Sequence, residues 1–219
     1  MTEHDEAWLR QRVIDAALDM SRTGLSPHMS GNVSARAGDS VFITPSGVAY
    51  PDLLPADIVE ISLDGEVLSG ALAPSSEWRM HCAIYAARPE AGGIVHAHSD
   101  HATTLAVMKR VIPGFHYMVA IAGGRDIRCA PYATFGSAEL AAHAVAALEG
   151  RKACLLAHHG QIAFGETVET ALHIAHEVET LAGQYWRALQ IGVPELLDDA
   201  ELDRNVEKFR SYGRRASRP

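Results

Sequence analysis

Residues 92–101 read "GGIVHAHSDH", three histidines and an aspartate behind a short apolar run. The β-branched pair Ile94 and Val95, set off by two glycines, predicts a strand. A strand alternates its faces, so His96 and His98 share one face while Val95 and Ala97 share the other. Two imidazoles about 7 Å apart along the backbone on one face can meet on a single metal ion. Asp100 and His101 fall past the strand, as the N-cap and first turn of a helix over "HATTLAVMKR" (101–110).

His-x-His-x-Asp-His is also the metal-binding string of the metallo-β-lactamase-like hydrolases. That class needs further ligands downstream, ending in a distant histidine. The last histidine of this chain is His176, inside a segment that reads as a long helix, so the final ligand is missing. "LLAHHG" (155–160) instead offers a third imidazole at the end of another apolar strand. Of His158 and His159, the residue next to Gly160 is better placed to face an open cleft.

Outward from this strand, "DEAWLRQRVIDAALDMSRTG" (5–24) spaces Leu9, Val13, Ala16, Ala17 and Met20 as one helical face and ends on Gly24, suited to a left-handed cap. "NVSARAGDSVFIT" (32–44) and "DIVEISLDGEVL" (57–68) each read as a pair of short strands, turning at Gly38-Asp39 and Asp64-Gly65. Helices are expected from Ser76 to about Arg88, over 137–150 behind a Ser137 cap, over about 167–190, and around 199–212. "IRCAPYAT" (127–134) reads as extended, and "KACLLAHHGQIAFG" (152–165) as apolar and strand-like. Hairpins mixed with helices predict an α/β fold: one domain over residues 1–219, a mostly antiparallel central sheet flanked by helices rather than a doubly wound parallel sheet.

Composition narrows the function. Within 219 residues, 47% are hydrophobic and 21% charged, with a formal net charge of −8. No apolar run approaches the roughly 20 residues that cross a bilayer. Basic residues are scattered outside the final stretch, which leaves no footprint for a nucleic-acid backbone. The acidic opening "MTEHDEAWLR" lacks the features of a secretory signal, and a cytoplasmic location is expected. Three widely spaced cysteines, Cys82, Cys129 and Cys154, fit neither a disulfide framework nor a zinc ribbon and read as buried thiols.

Three histidines leave the fourth position of a tetrahedral ion open, the condition for a catalytic site. The best carboxylate to act beside it is Glu77 in "PSSEWRMH" (74–81), at the start of a helix; its bland role would be to complement the helix dipole. Ser75 and Ser76 at the same helix start are what a phosphate uses, although serine also caps helices without any ligand. The turns "SGN" (30–32) and "TPSG" (44–47) could add donors to the same anion.

Taken together, "GNVS" (31–34), "ITPSG" (43–47), "PSSEWRMH", "IVHAHS" (94–99), "HYMVAIAGG" (116–124), "CAPYATFG" (129–136) and "LLAHHG" resemble, in order and spacing, the class II aldolases of the aldolase/adducin family, nearest to its L-fuculose-1-phosphate aldolases. The resemblance implies one zinc ion per subunit held by His96, His98 and His159, with Glu77 also reaching the metal and acting as the acid/base. It implies a phosphate site at Gly31, Asn32, Ser46, Gly47, Ser75 and Ser76, with Ser46 standing where the fuculose enzymes carry threonine. Tyr117 matches a catalytic tyrosine lent by a neighbouring subunit of a homotetramer, and Phe135 and Tyr212 match residues on the aldehyde side. The implied substrate is a phosphorylated ketose: L-fuculose 1-phosphate, or alternatively a 5-deoxy- or 5-methylthio-pentulose 1-phosphate. Relatives of the same fold epimerise pentulose phosphates, but that reaction would favour aspartate at position 77. Adducin heads, which lack the metal site, would have no use for three histidines with Glu77.

Overall fold

The computed structural model describes residues 3–27 and 30–211. The chain opens with helix α1 (Glu3–Thr23), followed by strands β1 (Asn32–Ala37), β2 (Ser40–Ile43), β3 (Val59–Ser62) and β4 (Val67–Ser69). Helix α2 (Trp78–Ala87) leads to β5 (Gly93–Ala97) and α3 (Asp100–Val107). After a 3-10 segment, Tyr117–Ala122, come β6 (Cys129–Ala130), α4 (Ala138–Ala147), β7 (Ala153–Leu156), β8 (Gly160–Gly165), α5 (Val168–Ile191) and α6 (Asp199–Ser211).

All eight strands form one sheet in the order β4-β3-β2-β1-β5-β8-β7-β6. Each neighbouring pair is antiparallel except β6 with β7. The expected α/β fold with a mostly antiparallel sheet is therefore the observed one, and both hairpins turn where Gly38-Asp39 and Asp64-Gly65 place them. Gly24, at φ +75°, ends α1 in the left-handed conformation that its missing Cβ permits. No helix among the described residues is long and apolar enough to cross a membrane.

Alternation along the strands builds a core on each side of the sheet. Val33, Ala35, Val95, Ala97 and Ala163 pack with α1, α3 and α5. Ile43, Ile61, Ile94, Cys154 and Ile162 pack with Met80, Ile84 and Tyr85 of α2 and with Leu140 and Ala144 of α4. Strand β5 is buried along its whole length at the centre of the sheet. His96 alternates with Val95 and Ala97, so it faces the α2 layer, as does Ser34 between Val33 and Ala35.

Four local expectations are corrected. "KACLLAHHGQIAFG" is a hairpin: β7 and β8 pair from Leu156↔Gly160 onward, around the turn Ala157, His158, His159. His158 carries the left-handed residue of that turn at φ +55°, a place usually given to glycine or asparagine. Helix α2 begins at Trp78, with Glu77 itself as N-cap rather than inside the first turn. The N-cap of α3 is Ser99, not Asp100. The Ser99 hydroxyl accepts from Gln161 Nε2 at 2.7 Å, and the N–H groups of His101 and Ala102 go to the Glu179 carboxylate of α5, each at 2.9 Å. Finally, Cys82 and Cys154 are buried thiols but Cys129 is only half-buried.

Candidate metal centre and anion pocket

The register Asn32↔His96↔Ile162 across β1, β5 and β8 sets His96 in the middle of the sheet, and His98 follows one residue past the strand end. The expected sharing of one face holds: His96 Nε2 and His98 Nε2 are 3.0 Å apart. The β7–β8 turn brings in His159, and all three imidazole pairs have centroids 4.8 Å apart. Glu77 closes the group, its Oε2 lying 2.8 Å from His96 Nε2 and 3.6 Å from His159 Nε2. Ligand atoms of Glu77, His96, His98 and His159 all lie within 4.8 Å of one another. His158 points elsewhere, its ring 5.9 Å from that of Tyr132.

These donors suit a metal ion. A carbonyl can only accept, so His96 Nδ1–H donates to the Gln161 carbonyl at 2.7 Å, which leaves the Nε2 lone pair for a cation. Gln161 is itself fixed by bonds from its Nε2 to Ser99 Oγ and the Ala175 carbonyl. Glu77 Oε1 is buried without a hydrogen-bond partner among the described residues, an arrangement that calls for a ligand.

The electrostatics single out the same spot. Burial pushes the Glu77 carboxyl up, but positive charge at His96, with hydrogen bonds from His159 and His96, holds it well below the usual carboxylate range. His96 moves the other way, since the Glu77 charge outweighs the penalty of burial. Burial and the charges of His96 and His159 take His98 down to about 3 against the pull of Glu77. The cluster thus favours one cation at the centre of its Nε2 atoms.

Beside the cluster opens a cleft of about 380 Å³, lined by Glu77, His98 and His159 and by Gly31, Asn32, Ser46, Gly47, Ser75 and Ser76. Two loops reach it together because they are zipped to each other. Ser46 N–H donates to the Ala73 carbonyl and Ser75 N–H to the Thr44 carbonyl, both at 3.0 Å, while Ser46 Oγ–H donates to the Pro74 carbonyl. Ser75 Oγ accepts from Glu77 N–H at 3.3 Å, whereas the N–H groups of Gly47 and Ser76 have no acceptor among the described residues. Gly31 must be glycine, since a Cβ there would sit 2.5 Å from the His96 carbonyl oxygen.

Phe135, 66% exposed, also lines the cleft, together with Tyr132, which the sequence did not single out. Tyr117 is not brought to the cluster: it is 51% exposed on the 3-10 segment and lines a separate cleft with Met118 and Ile121. Tyr212 lies outside the described residues. Sequence reasoning also missed His81, Ser34 and Tyr85, a buried polar row behind Asn32 in which His81 and Tyr85 sit one turn apart on α2 and meet Ser34 of β1.

The family described as "Class II Aldolase and Adducin N-terminal domain" matches residues 11–186. A 5-methylthioribulose-1-phosphate/5-deoxyribulose-1-phosphate aldolase of Rhodospirillum rubrum is 56% identical over 211 residues, covering 96% of this chain and 95% of the relative. An L-fuculose phosphate aldolase of Escherichia coli K12 is 48% identical over 208 residues, covering 94% and 96%. The solved structure of an L-fuculose 1-phosphate aldolase superposes with a TM-score of 0.91 at 39% identity, over 96% of this chain and 98% of that one.

Proposed function

The chain belongs to the class II aldolase and adducin family, and we propose that it cleaves a ketose 1-phosphate between C3 and C4 to dihydroxyacetone phosphate and an aldehyde. The observation that carries this reading is one cleft with a carboxylate among three imidazoles at one end and two zipped serine loops at the other. We assign zinc, one ion per subunit, to Glu77, His96, His98 and His159. When bound, the ion supplies Lewis-acid stabilisation of the negative charge that bond cleavage puts on the ketose oxygens.

The chain's own residues do the rest. Gly31, Asn32, Ser46, Gly47, Ser75 and Ser76 hold the phosphate, a remote contact that fixes the reacting carbons. Ser46 serves by turning its hydroxyl away from the Pro74 carbonyl. Glu77, ionised in the free cluster and with no hydrogen-bond partner for Oε1 among the described residues, takes up a proton from a hydroxyl of the bound ketose and delivers it to C3 of the three-carbon fragment. Tyr117 of a neighbouring subunit accepts the proton of the C4 hydroxyl, whose oxygen becomes that of the aldehyde. Its exposure, away from its own cluster, fits a site shared between the subunits of a homotetramer; the cytoplasm is the location this reading takes for it. Phe135 and Tyr212 border the aldehyde half.

For that half, the 56% identity to the methylthioribulose-phosphate enzyme favours a 5-methylthio- or 5-deoxyribulose 1-phosphate. The aromatic wall of Tyr132 and Phe135 suits a methylthio end, since sulfur packs well on aromatic rings. L-Fuculose 1-phosphate, which the sequence resemblance put first, is the second reading, supported by the 48% identical relative. Comparing kcat/KM for release of dihydroxyacetone phosphate from the three ketoses tests both readings. The highest value is expected with 5-methylthioribulose 1-phosphate. A higher value with L-fuculose 1-phosphate installs the second reading, and no release from any of them ends the aldolase assignment.

A further inference from the structure

Behind the anion pocket runs a buried row of four polar side chains. Tyr85 OH lies 2.9 Å from Ser34 Oγ, Ser34 Oγ lies 2.7 Å from His81 Nδ1, and His81 Nε2 lies 2.6 Å from Asn32 Oδ1. Asn32, Ser34, His81 and Tyr85 are all buried, with His81, Ser34 and Tyr85 wholly inaccessible. Only Asn32 reaches the cleft. The row is set by two elements: β1 carries Asn32 and Ser34 on the face toward α2, and α2 carries His81 and Tyr85 one turn apart.

Hydrogen-bond roles along this row are mutually constrained. A carbonyl oxygen only accepts, so facing Asn32 Oδ1 requires the proton on His81 Nε2. His81 Nδ1 must then accept from the Ser34 hydroxyl, and Ser34 Oγ from the Tyr85 hydroxyl. Every donor points the same way, from the core toward the cleft, and such chains polarise each bond in turn. With Oδ1 spent on His81, Asn32 has its two N–H donors left, and they find no acceptor among the described residues. The flipped amide would turn an oxygen toward an incoming anion, which it would repel.

We propose that His81 is the positioning residue of the anion pocket: its Nε2–H pins Asn32 Oδ1, and the pinned amide presents its N–H donors to the substrate phosphate. This role rests on the reading of the pocket as a phosphate site. It does not touch the reacting atoms, so it acts on binding more than on turnover.

The test uses the full-length, metal-loaded enzyme with inorganic phosphate as a competitive probe. His81→Leu should raise the phosphate inhibition constant and the substrate KM by roughly tenfold or more, the worth of one hydrogen bond to a charged group, with kcat and metal content little changed. His81→Gln, whose amide nitrogen replaces Nε2–H, should recover most of that loss. In an Asn32→Ala background, His81→Leu should add almost nothing, because the two residues act as one unit. An unchanged phosphate constant in His81→Leu, or additive effects with Asn32→Ala, would overturn the role while leaving the pocket intact. Failure of phosphate to compete with substrate in the unaltered enzyme would instead overturn the pocket reading and this role with it. Should His81→Leu not fold, 15N NMR of the unaltered protein decides: an Nε2–H tautomer at His81 supports the role, and an Nδ1–H tautomer overturns it.

Discussion

Glu77 Oε2 stands 2.8 Å from His96 Nε2, although one residue caps a helix and the other sits mid-strand at the centre of the sheet. The carboxylate is held low and the imidazole high by this contact, so the pair already stabilises positive charge where the cluster converges. A metal ion bound there would be met by three imidazoles and a carboxylate oxygen.

Removing one imidazole should empty the site. His98→Ala leaves two histidines and Glu77, a set short of one imidazole and open to water on that side, so the ion should be held far more weakly against dialysis. Metal analysis of the purified variant is expected to show less than a tenth of the wild-type content, with product release lost in parallel. Full metal content would remove His98 from the ligand set.

Glu77→Gln separates binding from chemistry. The amide preserves shape but cannot carry a proton to carbon, so turnover should fall by about 10²- to 10⁴-fold while three histidines still retain metal. Turnover at the wild-type rate would reduce Glu77 to a charge at a helix start.

Much of this was legible because simple periods govern it. Alternation alone put His96 and His98 on one face, and paired turn residues placed the first two hairpins. The β7–β8 hairpin was hidden because its turn, Ala157-His158-His159, contains no glycine, asparagine or proline, yet His158 takes the left-handed conformation. Ser99 and Asp100 both make plausible caps, and only Glu179, far off in sequence, decides how the start of α3 is satisfied. His81 escaped notice as a lone helical histidine. Its meaning depends on Ser34 and Asn32 across the layer, a tertiary relationship that no local pattern carries.

Gly31→Ala tests the close approach of the first pocket loop to β5. The added Cβ would lie 2.5 Å from the His96 carbonyl oxygen, a backbone atom that cannot swing aside. A destabilisation of about 1–3 kcal/mol is expected from such overpacking, with a raised KM. An unchanged Tm and KM would show that the loop relaxes freely.

Acid should weaken the fold through His81. Burial first, then the charge of His96, pushes this imidazole down to about 3 from 6.5, against the pull of Glu77. The unfolded chain takes up a proton there below its ordinary value while the folded chain refuses it. Stability is therefore whole above that value and falls with pH in the window beneath it, by up to about 1.4 kcal/mol per unit. Urea unfolding of metal-free protein between roughly pH 7 and 5 should show a shallower slope in His81→Gln; equal slopes would contradict the burial of a neutral His81.

The central claim, a metal-dependent aldolase built on Glu77, His96, His98 and His159, is tested most directly by chelation and reconstitution. Dihydroxyacetone phosphate release from the best of the three ketose phosphates should stop when metal is stripped and return with one equivalent of zinc per chain. Release that continues unchanged in protein shown to be free of metal would contradict it.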